Sequence, residues 1–302
     1  MRNRFVSLLG PVDGAAIFDG LQGTREMVAI ASMYYNGPRL LGAGLAGAIR
    51  DGNREEAWFE MRYGWADNDP NFNDGWAKRR YYESEMFGLY DNGVNATNIS
   101  AENAHNIYQM YTINKARILE YENLYSAQVG NANVGSGYDL TVIGSGSVQT
   151  LQQSFTPASN YLIQHYVTNE GLDTVIDYRD IQVADNPASG SGTGDTLIGN
   201  LRNEFLLNGD GAVEQNDLLI GGTGNDTLQG HGGNDVLHGG AGDDVLQGGA
   251  GDDHLFGGAG NDTYIIEANG GNDVIHDTGS NTLVFNGEHV GWGEARTPTT
   301  WR

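Results

Sequence analysis

The sequence predicts a chain of two unlike parts, a helical front and a back built of short parallel β-strands stacked in two thin sheets. Three observations carry that expectation. Residues 221–265 repeat with a period of nine, residues 25–128 hold apolar side chains at helical spacing, and charge is divided unevenly between the halves. Past residue 200 the only cations are Arg202, Arg296 and Arg302.

Written in nines, residues 221–265 read GGTGNDTLQ, GHGGNDVLH, GGAGDDVLQ, GGAGDDHLF, GGAGNDTYI. Asp226, Asp235, Asp244, Asp253 and Asp262 recur in register, and so do Leu228, Leu237, Leu246, Leu255 and Tyr264. A single Gly/Asp/Asn-rich stretch is usually a solvated linker. An apolar residue two places after every Asp is not composition alone, because it turns one large side chain per short strand toward a core. Gly222, Gly224, Gly233, Gly240, Gly242, Gly249, Gly251, Gly258 and Gly260 let each turn reverse tightly with its carbonyls pointing one way. The Asp adds a hard anionic oxygen, and calcium takes 6–8 oxygen ligands in irregular geometry. These aspartates and glycines are therefore the candidate Ca²⁺ ligands. The nonapeptide resembles the RTX (haemolysin-type calcium-binding) repeats of secreted bacterial proteins. That resemblance implies a right-handed parallel β-roll whose turns share Ca²⁺ between every second repeat, and export by an uncleaved C-terminal type I signal.

Weaker copies flank the five. Asp195-x-Leu197 and Glu204-x-Leu206 keep the acid-to-apolar spacing, but Arg202 sits where a turn glycine belongs. After an insertion at Asn208–Gln215, Asp217-x-Leu219 rejoins the register, as expected of an atypical capping end. Asp273 falls eleven after Asp262, which makes it a weaker ligand candidate. Gly270–Phe285 resembles the apolar flank that closes such rolls, and the tail from Glu288 shows no periodicity.

In the front, Arg25–Tyr35 reads as a helix with Val28, Ala31, Ser32 and Tyr35 on one face. Leu40–Ile49 is a small-residue helix, and Arg54–Trp65 carries Ala57, Trp58, Met61 and Trp65 at apolar spacing. A polar loop, Asp67–Asp74, leads to a helix from Trp76 to Tyr90. The last front helix runs from an N-cap at Ser100 to Gln128, its stripe formed by Ala104, Ile107, Tyr108, Tyr111, Ile118, Tyr121, Leu124 and Tyr125.

GWAKRRYYESEMFGLY (Gly75–Tyr90) resembles the G-L-x-x-R-R-x-x-E-x-x-L-F signature of phage-type lysozymes, with Gly75, Arg79, Arg80, Glu83 and Phe87 in step. Trp76 and Met86 replace two leucines. The resemblance covers residues 20–92 and implies the helical C-terminal lobe of a peptidoglycan-cleaving glycosidase. The lobe that would bring a Glu general acid is missing, since no Glu precedes Glu26. No catalytic residue is therefore assigned, not Glu26, Glu55, Glu56 or Glu60, and the chain is expected to be inactive alone, as a fragment or decayed copy of a longer enzyme. The alternative is a non-catalytic, calcium-dependent wall or surface module.

Between these parts, Tyr138–Ile143, Tyr161–Val167 and Leu172–Tyr178 read as short strands and Asn186–Gly194 as a linker. The expected division is a helical domain over 1–128, a linker with strands over 129–194, the roll over 195–290 and a tail over 291–302.

A net charge of −23 argues against nucleic acid or an anionic membrane as partner. The 302 residues include no cysteine, so metal sites rather than disulfides would staple the fold. No apolar run suits a bilayer and the N-terminus lacks an ordinary signal peptide. H-E-x-x-H, G-x-S-x-G, Walker A and C-x-x-C patterns are missing, so protease, lipase, nucleotide and thiol chemistry gain no support. His231, His238 and His254 show no zinc-ligand spacing and are expected to be surface histidines. The expected partners are calcium and, through the lysozyme resemblance, peptidoglycan; the expected state is a secreted monomer whose roll folds only when Ca²⁺ neutralises its carboxylates.

Overall fold

The computed structural model describes residues 1–36, 38–64, 74–90, 98–129, 151–184, 196–198, 215–277, 280–291 and 299–300. The chain divides into two compact units. The first comprises Met1–Asn95 and Asn114–Ser154, the second Ala96–Ile113 and Phe155–Arg302.

The first unit is helical. It begins with α1 (Arg2–Leu9) and α2 (Asp13–Gly20), neither signalled by the sequence, followed by α3 (Arg25–Asn36), α4 (Ala43–Arg50), α5 (Arg54–Tyr63) and α6 (Asp74–Phe87). α5 starts where Asn53 Oδ1 accepts the Glu56 N–H at 2.9 Å, and it buries Ala57, Trp58 and Met61 as expected. In α3 the structure corrects the expected face. Met27, Ala29, Ile30 and Met33 are buried, whereas Val28 and Tyr35 are 57% and 88% exposed. REMVAIASMYY is apolar nearly all round, so periodicity alone could not choose between its two stripes, and packing against α6 does.

α7 (Ala101–Val129) crosses the division, with its residues up to Ile113 counted in the second unit. The Ser100 hydroxyl accepts the Asn103 N–H at 3.1 Å and caps it. Ala104, Ile107, Tyr108, Tyr111, Ile118 and Tyr121 are all buried along it.

α8 (Leu151–Ile163), counted in the second unit from Phe155 on, runs into a π-helical segment, Gln164–Thr168. The strand expected at Tyr161–Val167 is therefore helical. Leu151, Ser154, Phe155, Ala158, Ser159 and Leu162 are buried at i, i+3, i+4, i+7, i+8 and i+11, a helical period that begins upstream of the window read as alternating. Leu172–Tyr178 forms no strand either. There Asp177 accepts from the Arg179 N–H at 3.0 Å and pairs with its guanidinium at 2.8 Å, which fixes a tight turn at Tyr178–Asp180.

The remainder is a parallel β-solenoid of about four turns. One sheet has the order β1 (Ile181–Val183), β3 (Leu218–Thr223), β5 (Val236–Ala241), β7 (His254–Ala259), β9 (Val274–His276), β12 (Thr299–Thr300). The other orders β2 (Thr196–Ile198), β4 (Thr227–Gly232), β6 (Val245–Ala250), β8 (Thr263–Ile266), β10 (Thr282–Phe285), β11 (Glu288–Gly291). Alternate strands pair because two nonapeptides make one full turn, so Leu219 lies beside Leu237 and Leu228 beside Leu246. The thin core is a single column: Leu219, Leu228, Leu237, Leu246, Leu255, Tyr264, Ile275 and Leu283 are at most 5% exposed. Burial of each such side chain contributes roughly 1.5–3 kcal/mol.

Both sheets end on reversed strands. β11 pairs antiparallel with β10 and β12 antiparallel with β9. Asn286 and Gly287, at φ 51° and 81°, make the two-residue turn of the β10–β11 hairpin. The tail thus begins as an ordered strand, a signal present in the Asn-Gly pair and passed over for want of nonapeptide period. Trp65, the loop before Asp74, Tyr138–Ile143, Asn186–Gly194, Asp195, Glu204 and residues 208–214 lie outside the described residues.

Candidate metal centre

Each turn between sheets has the same construction. The nine candidate glycines all adopt φ between 101° and 146°. At Gly242, φ is 136° and a Cβ would collide with the Gly224 carbonyl and come within 2.9 Å of Asn225 Oδ1, so only glycine fits. The turn delivers the Asp at the start of the next strand into the interior, where Asp226, Asp235, Asp244, Asp253 and Asp262 are at most 1% exposed.

One oxygen of each carboxylate builds a ladder. The backbone N–H of Asp217 donates to Asp235 Oδ1 at 2.8 Å, that of Asp226 to Asp244 at 2.8 Å, that of Asp235 to Asp253 at 2.8 Å and that of Asp244 to Asp262 at 2.9 Å. Two rungs extend beyond the five repeats. Asp253 N–H donates to Asp273 Oδ1 at 3.2 Å, and Asp262 N–H to Asn281 Oδ1 at 2.7 Å. Asp273 is therefore in the same position as its predecessors. The loop between β8 and β9 absorbs the two extra residues, and β7 pairs with β9 at a step of twenty, His254 beside Val274. Spacing counted in the sequence missed this; Gly271-Asn272-Asp273-Val274-Ile275 still carried the G-x-D-x-apolar pattern.

A second ladder uses the residue before each Asp and runs the other way. Asp243 N–H donates to Asn225 Oδ1 at 3.0 Å, Asp252 to Asn234 at 3.0 Å, and Asn261 to Asp243 at 2.8 Å. This place is Asn or Asp in all five repeats.

The other carboxylate oxygen is left over. Oδ2 of Asp235, Asp244, Asp253 and Asp262 is buried without a hydrogen-bond partner. Each lies against the first glycine of its own repeat, Gly230, Gly239, Gly248 and Gly257, where a Cβ would collide with it. The same opening faces backbone carbonyls one turn on: a Cβ on Gly230 would stand 2.6 Å from Gly248 O, and one on Gly239 2.8 Å from Gly257 O. These first glycines were not among the sequence candidates, although they too are invariant through the five repeats.

The electrostatics follow from the burial. Removal from water raises Asp235 to about 8 and Asp253 and Asp262 to about 7, against an ordinary 3.8, and neighbouring aspartates add to the rise; the accepted N–H only partly opposes it. Asp244 and Asp273 are raised for the same first reason. A buried carboxylate oxygen with no donor is costly, and a cation relieves the cost. Among the described residues no point gathers three or more His, Asp or Glu side chains. An ion held here would draw on one or two carboxylates plus several peptide carbonyls, an all-oxygen set that suits a hard, large cation.

Residues 212–246 and 230–264 match the model of the RTX calcium-binding nonapeptide repeat. These are RTX calcium-binding repeats. They bind Ca²⁺, and the leftover oxygens and glycine openings fit that ion. No curated protein and no solved structure matches the chain. No comparison supports the lysozyme-like reading of the helical region.

In that region Gly75 and Arg79 lie on α6, and three of the signature residues are internal ties. Arg80 is buried and donates to Glu60 O at 2.6 Å and to Met33 Sδ at 2.8 Å. Glu83 is buried and accepts the Ser32 hydroxyl at 3.1 Å. Phe87 is buried with the Arg54 guanidinium 5.3 Å over its ring. Arg54 also pairs with Glu26 at 2.6 Å; burial works most strongly against ionisation of Glu26, but the hydrogen bond and charge of Arg54, with hydrogen bonds from its own backbone and Thr24, together outweigh it and hold the carboxyl at about 2. No described helix is long and apolar enough to cross a membrane.

Proposed function

We propose that this protein is a secreted, calcium-gated module whose roll orders only where free Ca²⁺ is abundant. The buried Oδ2 atoms of Asp235, Asp244, Asp253 and Asp262 carry this reading. Ionised and unpaired, they oppose the fold; facing the carbonyls of the next turn, they become half of a coordination shell. Those four with Asp226 would supply the charged ligands, and the carbonyls of the turn glycines the neutral ones. The ion, when bound, supplies positive charge between successive turns, and its binding free energy becomes folding free energy.

The glycines do the rest of the work on the protein side. They lose more conformational freedom on ordering than any other residue, and the single column of leucines offsets little of that loss. Extracellular calcium modules work at about 10⁻⁴–10⁻³ M, above cytosolic levels, so such a roll stays open during synthesis and closes outside the cell. RTX repeat proteins are typically secreted, which fits this order of events.

Far-ultraviolet circular dichroism of the full chain during a Ca²⁺ titration tests the proposal. The expected result is a cooperative gain of β signal with a midpoint of about 10⁻⁴–10⁻³ M. A complete β spectrum in excess chelator, or a midpoint in the nanomolar range, would overturn it.

A second reading keeps the helical region as the accessory lobe of a peptidoglycan-cleaving glycosidase. The burial of Arg80, Glu83 and Phe87 favours it, since a signature that holds helices together should be internal. Co-sedimentation of the chain with insoluble peptidoglycan is the expected result; failure to sediment with it removes the reading.

A further inference from the structure

The outer face of the sheet containing β7 and β9 carries chemistry that calcium does not explain. His254 and Phe256 flank the inward Leu255 on β7, and His276 follows the inward Ile275 on β9. In register Phe256 lies beside His276, so His254 is its diagonal neighbour. The two imidazoles converge: His254 Nδ1 stands 3.0 Å from His276 Nε2, with ring centroids 5.3 Å apart and planes inclined by 29°.

We propose that His254 and His276 form a binding site for a divalent transition-metal ion of the zinc, copper or nickel class, separate from the calcium positions at the turns. Two nitrogens held at about 2.0–2.1 Å from one ion stand about 3 Å apart at the right angle of a tetragonal copper or nickel site and about 3.3 Å apart in tetrahedral zinc. Imidazole is the ligand such ions prefer, and a hard ion such as Ca²⁺ does not. Water fills the remaining positions, so the site is open in the manner of a site that accepts a further ligand.

The rings are held in place before any ion arrives. His276 stacks on Phe256 at 4.1 Å and 6°, and Phe256 stacks on His238 at 4.2 Å and 8°. His238 is fixed in turn by a 3.1 Å contact from Nε2 to Tyr166 O and by the Tyr166 ring at 4.8 Å. A column of rings on adjacent strands thus sets the plane of the His276 ligand, as a supporting shell does in built metal sites.

The competing account is a plain N–H···N hydrogen bond between the rings, and the experiment separates the two. Full-length chain saturated with Ca²⁺ is titrated with Zn²⁺ by calorimetry and, in parallel, with Cu²⁺ by electron paramagnetic resonance. One saturable equivalent is expected, with a copper spectrum split by two nitrogen nuclei. His254→Gln and His276→Gln should each weaken Zn²⁺ binding by about tenfold or more, whereas His289→Gln on β11 should leave it unchanged. Lack of saturable binding, coupling to a single nitrogen, or glutamine variants that bind as well as the parent would overturn the proposal. If either variant loses its β signal in Ca²⁺, the copper spectrum of the parent decides. A roll that forms without Ca²⁺ would sink the calcium reading and leave this test intact, so the two failures are distinguishable.

Discussion

The helical unit and the roll treat buried charge in opposite ways. In the helical unit Arg62 is 0% exposed, yet it is enclosed by Glu85 at 3.0 Å, by Glu122 at 3.6 Å and by the Tyr81 ring at 4.0 Å. Glu122 Oε1 in turn accepts the hydroxyls of Tyr63 and Tyr81, both at 2.8 Å. The roll buries carboxylates as deeply and leaves one oxygen of four of them without a donor. Around Arg62 the first region closes its electrostatics with its own residues. On the proposed reading, the second is completed by a cation from solution, and that difference would separate a fold specified by sequence alone from one specified by sequence and environment.

Removing calcium should break the comparison most visibly. In excess chelator the β signal should vanish and amides 215–277 should exchange freely, while the amides of α3, α5 and α6 stay protected. Hydrogen exchange read by mass spectrometry checks both halves at once, and loss of protection in the helices together with the roll would show that the two are not energetically distinct.

Arg62→Ala tests the other side. It takes the guanidinium away from Glu85 and Glu122 and removes a cation from the Trp58, Tyr63 and Tyr81 rings, with an expected loss of about 3–5 kcal/mol in the helical transition. The calcium midpoint of the roll should not move. Asp244→Ala should do the reverse, weakening the calcium midpoint by about tenfold while helical unfolding in denaturant stays as in the parent. It deletes both a candidate ligand and the acceptor for the Asp226 N–H.

Acidity should partly replace the metal. Asp235, Asp253 and Asp262 sit at about 8, 7 and 7 in the folded roll and near 3.8 when unfolded, so the metal-free fold holds protons that the open chain gives up. Its stability is present in full below the unfolded value and is lost as pH rises through 7 to 8. Chelated protein should therefore gain β signal between pH 8 and pH 5, whereas calcium binding, which needs the carboxylates ionised, should weaken over the same interval. Metal-free protein that loses β signal on acidification would contradict the burial argument.

The smallest contrast uses one substitution in two places. Gly47 lies within α4 with nothing inside 4 Å of a Cβ, so Gly47→Ala should stabilise by about 0.5–1 kcal/mol. Gly242→Ala forces a left-handed residue against the Gly224 carbonyl and should destabilise the calcium-bound roll by about 1–2 kcal/mol or more. Thermal denaturation of both variants gives the signs.

Much of this was legible in the sequence. The nonapeptide period gave the apolar column and the register of the aspartates because each repeat is one rung and its side chains alternate about a fixed strand. Helices α3 to α7 could be read from spacing and punctuation. What escaped did so for physical reasons. The buried stripe of α3 depended on α6, a partner that spacing does not name. α8 was missed because a window opened at Tyr161 catches too little of a period that starts at Leu151. Asp273 escaped because a loop can absorb two residues that a ruler laid along the sequence cannot. His238 was expected at the surface and is instead clamped between Tyr166 and Phe256, its ring pushed down to about 4 by burial, because strands eighteen residues apart stack what the sequence keeps separate.

The reversed strands β11 and β12 bear on how long such an object can become. Rungs that all point the same way offer the next rung, or another molecule, an identical landing site, and a stack of that kind has no inherent length. A strand laid in the opposite sense presents its donors and acceptors out of phase with any newcomer of the repeating type. Addition of a further parallel rung at that end is thereby disfavoured.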